Sequence, residues 1–173
     1  ESHRVVVAHL GNGSSACAIL DGQSIATTMG YTALDGLVMG TRCGNIDPGV
    51  ILFLFIYKGM NAVDIEKLIY KESGLLGVSE ISSDVRTLIE SKDYRAREAI
   101  ELFCYRAVRE IGSLVAALHG LDALVFTGGI GENAVIVREL ICKQLSWLGI
   151  ALDLNKNKQG LDIISDGSSR VKV

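Results

Sequence analysis

Residues 4–22 read Arg4-Val5-Val6-Val7-Ala8-His9-Leu10-Gly11-Asn12-Gly13-Ser14-Ser15-Ala16-Cys17-Ala18-Ile19-Leu20-Asp21-Gly22. Arg4 to Leu10 is a β-branched apolar run of the kind that forms a buried strand. Gly11-Asn12-Gly13-Ser14-Ser15-Ala16 follows it directly and fits the spacing G-x-G-x-x-A of a dinucleotide turn. Such a turn must open a helix whose amino end faces a pyrophosphate. Here residues 14–20 read as a second strand, and Asp21-Gly22 is a favoured two-residue hairpin turn into a third over 24–30. A strand, a glycine turn and a hairpin therefore open the chain. A glycine turn of this kind cradles phosphate through backbone N–H groups and short hydroxyls, and Asn12, Ser14 and Ser15 suit that role. A tight hairpin built of small residues explains the same stretch equally well.

Working outward, residues 30–47 are rich in Gly, Thr and Asp without periodicity, which predicts a long functional loop. Residues 1–49 hold eight of the chain's 19 glycines and only two Lys or Arg residues, Arg4 and Arg42. Arg42 stands in Gly40-Thr41-Arg42-Cys43-Gly44, either as a cation for an anionic ligand or in a structural ion pair with Asp35 or Asp47. His9, ending an apolar strand, reads on sequence alone as a satisfied buried histidine rather than a base.

From Asp47 the helical period takes over. Asp47-Pro48 signals a helix start. The helix over Gly49–Tyr57 is apolar on every face, which predicts burial. Asn61 caps a second helix reaching about Glu72, and Asp84, as an ordinary helix cap, starts a short one over Val85–Glu90. Tyr94 to His119 has apolar positions stepping by three and four, and Gly120 stops it. Ala123–Thr127 predicts a buried strand running into Gly128-Gly129-Ile130-Gly131, followed by one helix from about Glu132 to Leu148 that closes on Gly149. Leu152, residues 161–164 and Arg170–Val173 predict short strands. Strands followed by alternating helices and strands define an α/β domain.

Gly129-Ile130-Gly131-Glu132-Asn133-Ala134 is a second dinucleotide-like turn, with Asp153 about twenty residues on as a ribose acid. Little chain follows for another strand–helix pair, and Glu132 would face the pyrophosphate, so NAD(P) is the weaker reading.

Composition bounds the rest. At 173 residues and 49% hydrophobic, the chain has about 85 apolar side chains, enough for one core. The formal net charge of −3 argues against a nucleic-acid binder. The longest apolar run, Val50–Tyr57, is too short for a membrane span. A mean hydropathy of +0.33 predicts a surface partly covered by a partner. Cys17, Cys43, Cys104 and Cys142 form no C-x-x-C pair and read as reduced core or near-core residues of a cytoplasmic protein. Trp147 and Tyr105 read as core or dimer surface. The single proline, Pro48, stands where average usage gives about eight or nine. A start inside a strand-like run, without methionine, reads as a piece of something longer.

Four motifs in order resemble acetate kinases: His9–Ser15, Met29–Leu37, Met39–Pro48 and Val125–Asn133. The likeness runs essentially end to end, and Ala33 departs from it where the family usually has proline. The resemblance implies the ribonuclease-H-like ATPase fold of the actin, Hsp70 and sugar-kinase superfamily, with these residues as the C-terminal nucleotide-binding domain of a two-domain kinase. It implies ATP and Mg²⁺, reversible phosphorylation of acetate or propionate to an acyl phosphate, and a homodimer joined through this half. By position, His9, Leu10, Gly11, Asn12 and Gly13 resemble the phosphate-side loop. Asp84, Val85 and Arg86 resemble a nucleotide-contacting stretch, and Gly129, Ile130, Gly131, Glu132 and Asn133 the nucleoside loop. Arg42 resembles the arginine that stabilises the transferring phosphoryl group. No metal ligand is expected here. The family's catalytic aspartate, metal-binding residues and most of its acyl pocket belong to an N-terminal half and an extreme C-terminus expected to lie outside these residues, so the isolated chain is expected to be inactive. Two other readings stand beside this one: a non-catalytic nucleotide-binding and dimerisation module, and the NAD(P)-binding domain.

Overall fold

The computed structural model describes residues 3–173. Its centre is a four-stranded mixed sheet of β1 (Arg4–His9), β2 (Ser15–Leu20), β3 (Gln23–Thr27) and β4 (Ala123–Thr127), in the order β3-β2-β1-β4. β1–β2 and β2–β3 are antiparallel, whereas β1 and β4 run parallel with His9 level with Thr127. This register decides the site, because both strands end together and each runs into a glycine turn.

Arg4 locks the other ends of the same two strands. Its guanidinium donates to Asp122 through Nη2 at 2.6 Å and Nε at 3.1 Å, and its backbone N–H adds a bond at 2.8 Å. These bonds hold the Asp122 carboxyl down to about 2.

Between β1–β3 and β4 lie α1 (Pro48–Tyr57), α2 (Ala62–Lys71), α3 (Gly74–Ser79), α4 (Val85–Glu90) and α5 (Tyr94–Leu118). Residues 28–47 form the expected long irregular loop. α5 packs across the sheet and against α3 and α4. Its apolar stripe, from Ala96 and Phe103 to Leu118, meets Val6, Ala8, Ala16 and Ala18 in one core. After β4 come α6 (Gly128–Asn133), α7 (Val135–Gln144), a 3₁₀ turn over Ser146–Leu148 and α8 (Leu154–Gln159). Cys104 and Cys142 are buried, which pushes both thiols up to about 12, and Cys17 and Cys43 are half-buried.

Several expectations are corrected. None of the ten residues of α1 is buried: Leu52 and Phe55 are 59% exposed and Ile56 62%. All-round apolarity reports a need for cover, and here α2 is the main element packed against α1 among the described residues. β4 is an edge strand, so of its five residues only Leu124 is buried. The helix expected over 132–148 is broken at Ala134, whose ψ of 84° leaves the helical range. α3 and α8 escape a periodicity reading because each is only six residues long. In place of the short strands, Leu152 forms an isolated bridge with Ser165 and Lys172 one with Ala123, and residues 161–164 form neither strand nor bridge. Trp147 and Tyr105 are exposed, which removes the core half of their reading as core or dimer surface. Among the described residues no helix is long and apolar enough to cross a membrane.

Candidate functional site

The turns that end β1 and β4 are stitched together. The Leu10 amide donates to the Thr127 carbonyl at 2.8 Å, and the Leu10 carbonyl accepts from Ile130 N at 2.9 Å and Gly131 N at 3.1 Å. Leu10 thus contributes backbone, because its side chain lies wholly in the core. Ser14, also buried, spends its hydroxyl inside the turn, donating to Gly11 O at 2.9 Å and accepting from Gly11 N at 3.2 Å. It is therefore a staple rather than a phosphate donor. Ser15 opens β2, and Asn12 is exposed.

A cleft of about 390 Å³ lies beside these turns, lined by Gly11, Asn12, Asp84, Val85, Arg86, Gly129, Ile130, Asn133 and Ala134. Three segments separated by more than forty residues each therefore converge on one cavity. Asp84 reaches it as the cap of α4, its carboxylate accepting from Arg86 N at 3.0 Å. The Arg86 guanidinium, 3.5 Å from Asp84, is solvent-exposed. Val85 has its side chain in the core. The α6 turn is closed by Asn133, whose Nδ2 donates to Gly129 O at 2.9 Å.

Two residues of the second glycine turn face elsewhere. Gly131 is buried, packed on Phe126, and Glu132 lines a separate groove of about 620 Å³ along the edge of β4, with Asp162 and Lys172. His9 is exposed rather than buried, because the parallel register places it at the open end of the sheet beside Thr127. Its Nδ1 lies 3.0 Å from the Thr127 hydroxyl.

Arg42 has no carboxylate partner among the described residues, which removes the ion-pair reading. Asp47 is engaged in capping α1 through Gly49 N at 2.7 Å, and Asp35 accepts from Gly36 N at 2.8 Å. The Arg42 guanidinium donates to the Ala33 carbonyl at 3.0 Å. It lies against the first glycine turn, where a Cβ on Gly13 would stand 3.4 Å from Nη1. The absence of a side chain at Gly13 thus brings a cation to the loop at the end of β1.

The sequence gives no hint of what holds Arg42 there. The amino end of α3 grips the arginine loop. Ser73, Leu75 and Leu76 donate their N–H groups to the carbonyls of Thr41, Met39 and Gly40 at 3.0, 2.9 and 3.0 Å. The end of α2 holds the other side, with Cys43 N and the Thr41 hydroxyl bonding to Ile69 O at 3.0 Å and Tyr70 O at 2.9 Å. Gly40 N in turn donates to Asn12 O at 3.0 Å, joining this loop to the cleft.

A dinucleotide site does not fit. The first turn opens a hairpin, and Asp153 caps α8 by accepting from Asn155 N at 2.9 Å and lines neither the cleft nor the groove. Among the described residues no three His, Cys, Asp or Glu side chains gather as a metal centre.

A mixed sheet whose parallel pair, β1 and β4, ends together in two glycine turns is the ribonuclease-H-like α/β domain of the actin, Hsp70 and sugar-kinase superfamily. Within that class, the Acetokinase family model matches residues 1–173, and the chain belongs to that family. It is 62% identical over 172 residues to the acetate kinase of Rhodopseudomonas palustris strain TIE-1, covering 98% of this chain and 43% of that protein. Among solved structures it is similar to Porphyromonas gingivalis acetate kinase, with a TM-score of 0.93 and 42% identity over 99% of this chain and 44% of that one. A Francisella tularensis propionate kinase gives a TM-score of 0.92 and 43% identity over 97% and 44% of the two chains. The chain therefore spans less than half the length of these relatives.

Proposed function

We propose that residues 1–173 are the C-terminal, nucleotide-binding domain of a two-domain cytoplasmic kinase that moves the γ-phosphoryl group of ATP reversibly and in line onto acetate or propionate. The observation that carries this reading is the convergence of Gly11–Asn12, Asp84–Arg86 and, from the second glycine turn, Gly129, Ile130 and Asn133 on one cleft. The turn after β1 holds the phosphates and the α6 turn holds the nucleoside.

A carboxylate attacking a phosphate brings two anions together, so positioning and charge neutralisation dominate such a reaction. Arg42 suits that task. It is unpaired with any carboxylate among the described residues, sits in a loop gripped by α2 and α3, and lies beside Gly13. There it stabilises the charge that develops on the transferring phosphoryl oxygens. Mg²⁺ accompanies ATP and screens the phosphate charge. Its protein ligands, the catalytic carboxylate and most of the acyl pocket lie outside this chain, which is inactive by itself.

The same reading places a second copy of this chain against α1. An apolar helix with no buried residue is the strongest candidate here for a homodimer face.

Calorimetric titration of the chain with ATP and with NADH tests the proposal. ATP binding without measurable NADH binding is expected, and a preference for NADH overturns it.

A further inference from the structure

α7 carries a buried guanidinium that the proposed chemistry does not use. Arg138 is 4% exposed, and among the described residues no carboxylate lies within 4 Å of it. Burying an ion without a counter-ion is costly, so its hydrogen bonds must offset the lost hydration. Nη1 donates to the carbonyls of Gly131 at 2.9 Å and Glu132 at 2.6 Å. Nε and Nη2 donate to Asn157, at 2.6 Å to Oδ1 and 2.8 Å to the backbone oxygen. Asn157 is itself fully buried on α8 and donates through Nδ2 to Val135 O at 3.1 Å.

These bonds complete α6. The last carbonyls of a helix have no partner inside it. In α6, Asn133 Nδ2 takes Gly129 O, the Ala134 amide takes Ile130 O, and Arg138 takes those of Gly131 and Glu132. Its positive charge also sits at the negative end of the helix. At the other end of α6, Leu10 O accepts from Ile130 and Gly131. The turn is thus pinned at both ends, and Gly129, Ile130 and Asn133 line the cleft between the pins.

We propose that Arg138, seated on Asn157, is the positioning residue of the Gly129–Asn133 turn, holding its carboxyl end so that the wall of the cleft that meets the nucleoside is preformed. This rests on the nucleotide reading of the cleft. Arg138 does not line the cleft, so its loss weakens the nucleoside end of the site and spares the phosphate end.

The test compares the 173-residue chain with its Arg138→Met and Arg138→Lys variants, titrated with ATP and with tripolyphosphate. Arg138→Met is expected to raise the Kd for ATP about tenfold while changing that for tripolyphosphate less than about twofold. Arg138→Lys, which retains a donor cation, is expected to recover part of the loss. Equal weakening of both ligands, or none, overturns the proposal. Hydrogen exchange on the ligand-free chains gives an answer independent of nucleotide binding, and Arg138→Lys serves if the Met variant does not fold. Faster exchange at residues 129–134, with residues 9–14 and 84–86 unchanged, is expected, and unchanged exchange at 129–134 overturns the proposal. A wild-type chain that binds no ATP defeats the nucleotide reading instead, and the exchange result still decides whether Arg138 pins the turn.

Discussion

Gly74 shows how much of the arginine loop rests on one absent methyl group. Its φ of 62° is left-handed, and a Cβ there would strike the carbonyl of Met39 and stand 2.7 Å from that of Arg42. Gly160 has a similar φ of 64° but open space around it. Replacing Gly160 with Ala should therefore cost only the left-handed penalty, about 1 kcal/mol. Gly74→Ala should cost that plus the collision, roughly 1–3 kcal/mol more. Urea denaturation of the two variants measures the difference, and equal losses would mean that the loop yields around Gly74. The need for Gly74 is invisible in the sequence, where Glu72-Ser73-Gly74 looks like an ordinary helix stop. Arg42 itself was legible as an isolated basic residue among glycines. The choice between ion pair and free cation was not, because it depends on where Asp35 and Asp47 spend their carboxylates.

At the scale of elements, local signals read well wherever the chain's own backbone uses them. Asp47, Asn61 and Asp84 each cap the helix they announce, and the three–four stepping of α5 marks the stripe that is buried. Signals that depend on a neighbour read badly. The apolarity of α1 and of β4 predicts burial for both, yet α1 has no buried residue and the outer edge of β4 meets only an isolated bridge from Lys172. The helix expected after Gly131 breaks at Ala134 because the carbonyls of Gly131 and Glu132 turn to Arg138, nineteen residues from the Asn157 that seats it. α1 also carries a prediction. If it is the face where two copies meet, the double substitution Phe55→Asp and Ile56→Asp should halve the mass found by light scattering. The thermal midpoint of the monomer should barely move, since neither side chain packs in the core. An unchanged mass would remove α1 from the interface.

Across the whole molecule, the parallel pairing of β1 with β4 turns separate motifs into one site. More than a hundred residues separate the two strands, yet their register brings both glycine turns to the same end of the sheet. The sequence motifs carried the residue identities, and pattern alone could not supply the pairing, because it depends on the packing of α5 across the sheet. Nor could the motifs foretell that the second turn divides two cavities, with Gly131 and Glu132 on the groove beside β4, Gly129 and Ile130 on the cleft, and Asn133 on both. The central claim concerns that division, and backbone amide chemical-shift mapping with Mg²⁺-ATP tests it most directly. The account predicts that the perturbed amides cluster at residues 11, 12, 84–86, 129, 130 and 133, on both sides of one cleft. Perturbations confined to the groove of Glu132, Asp162 and Lys172, or scattered without a cluster, would contradict it.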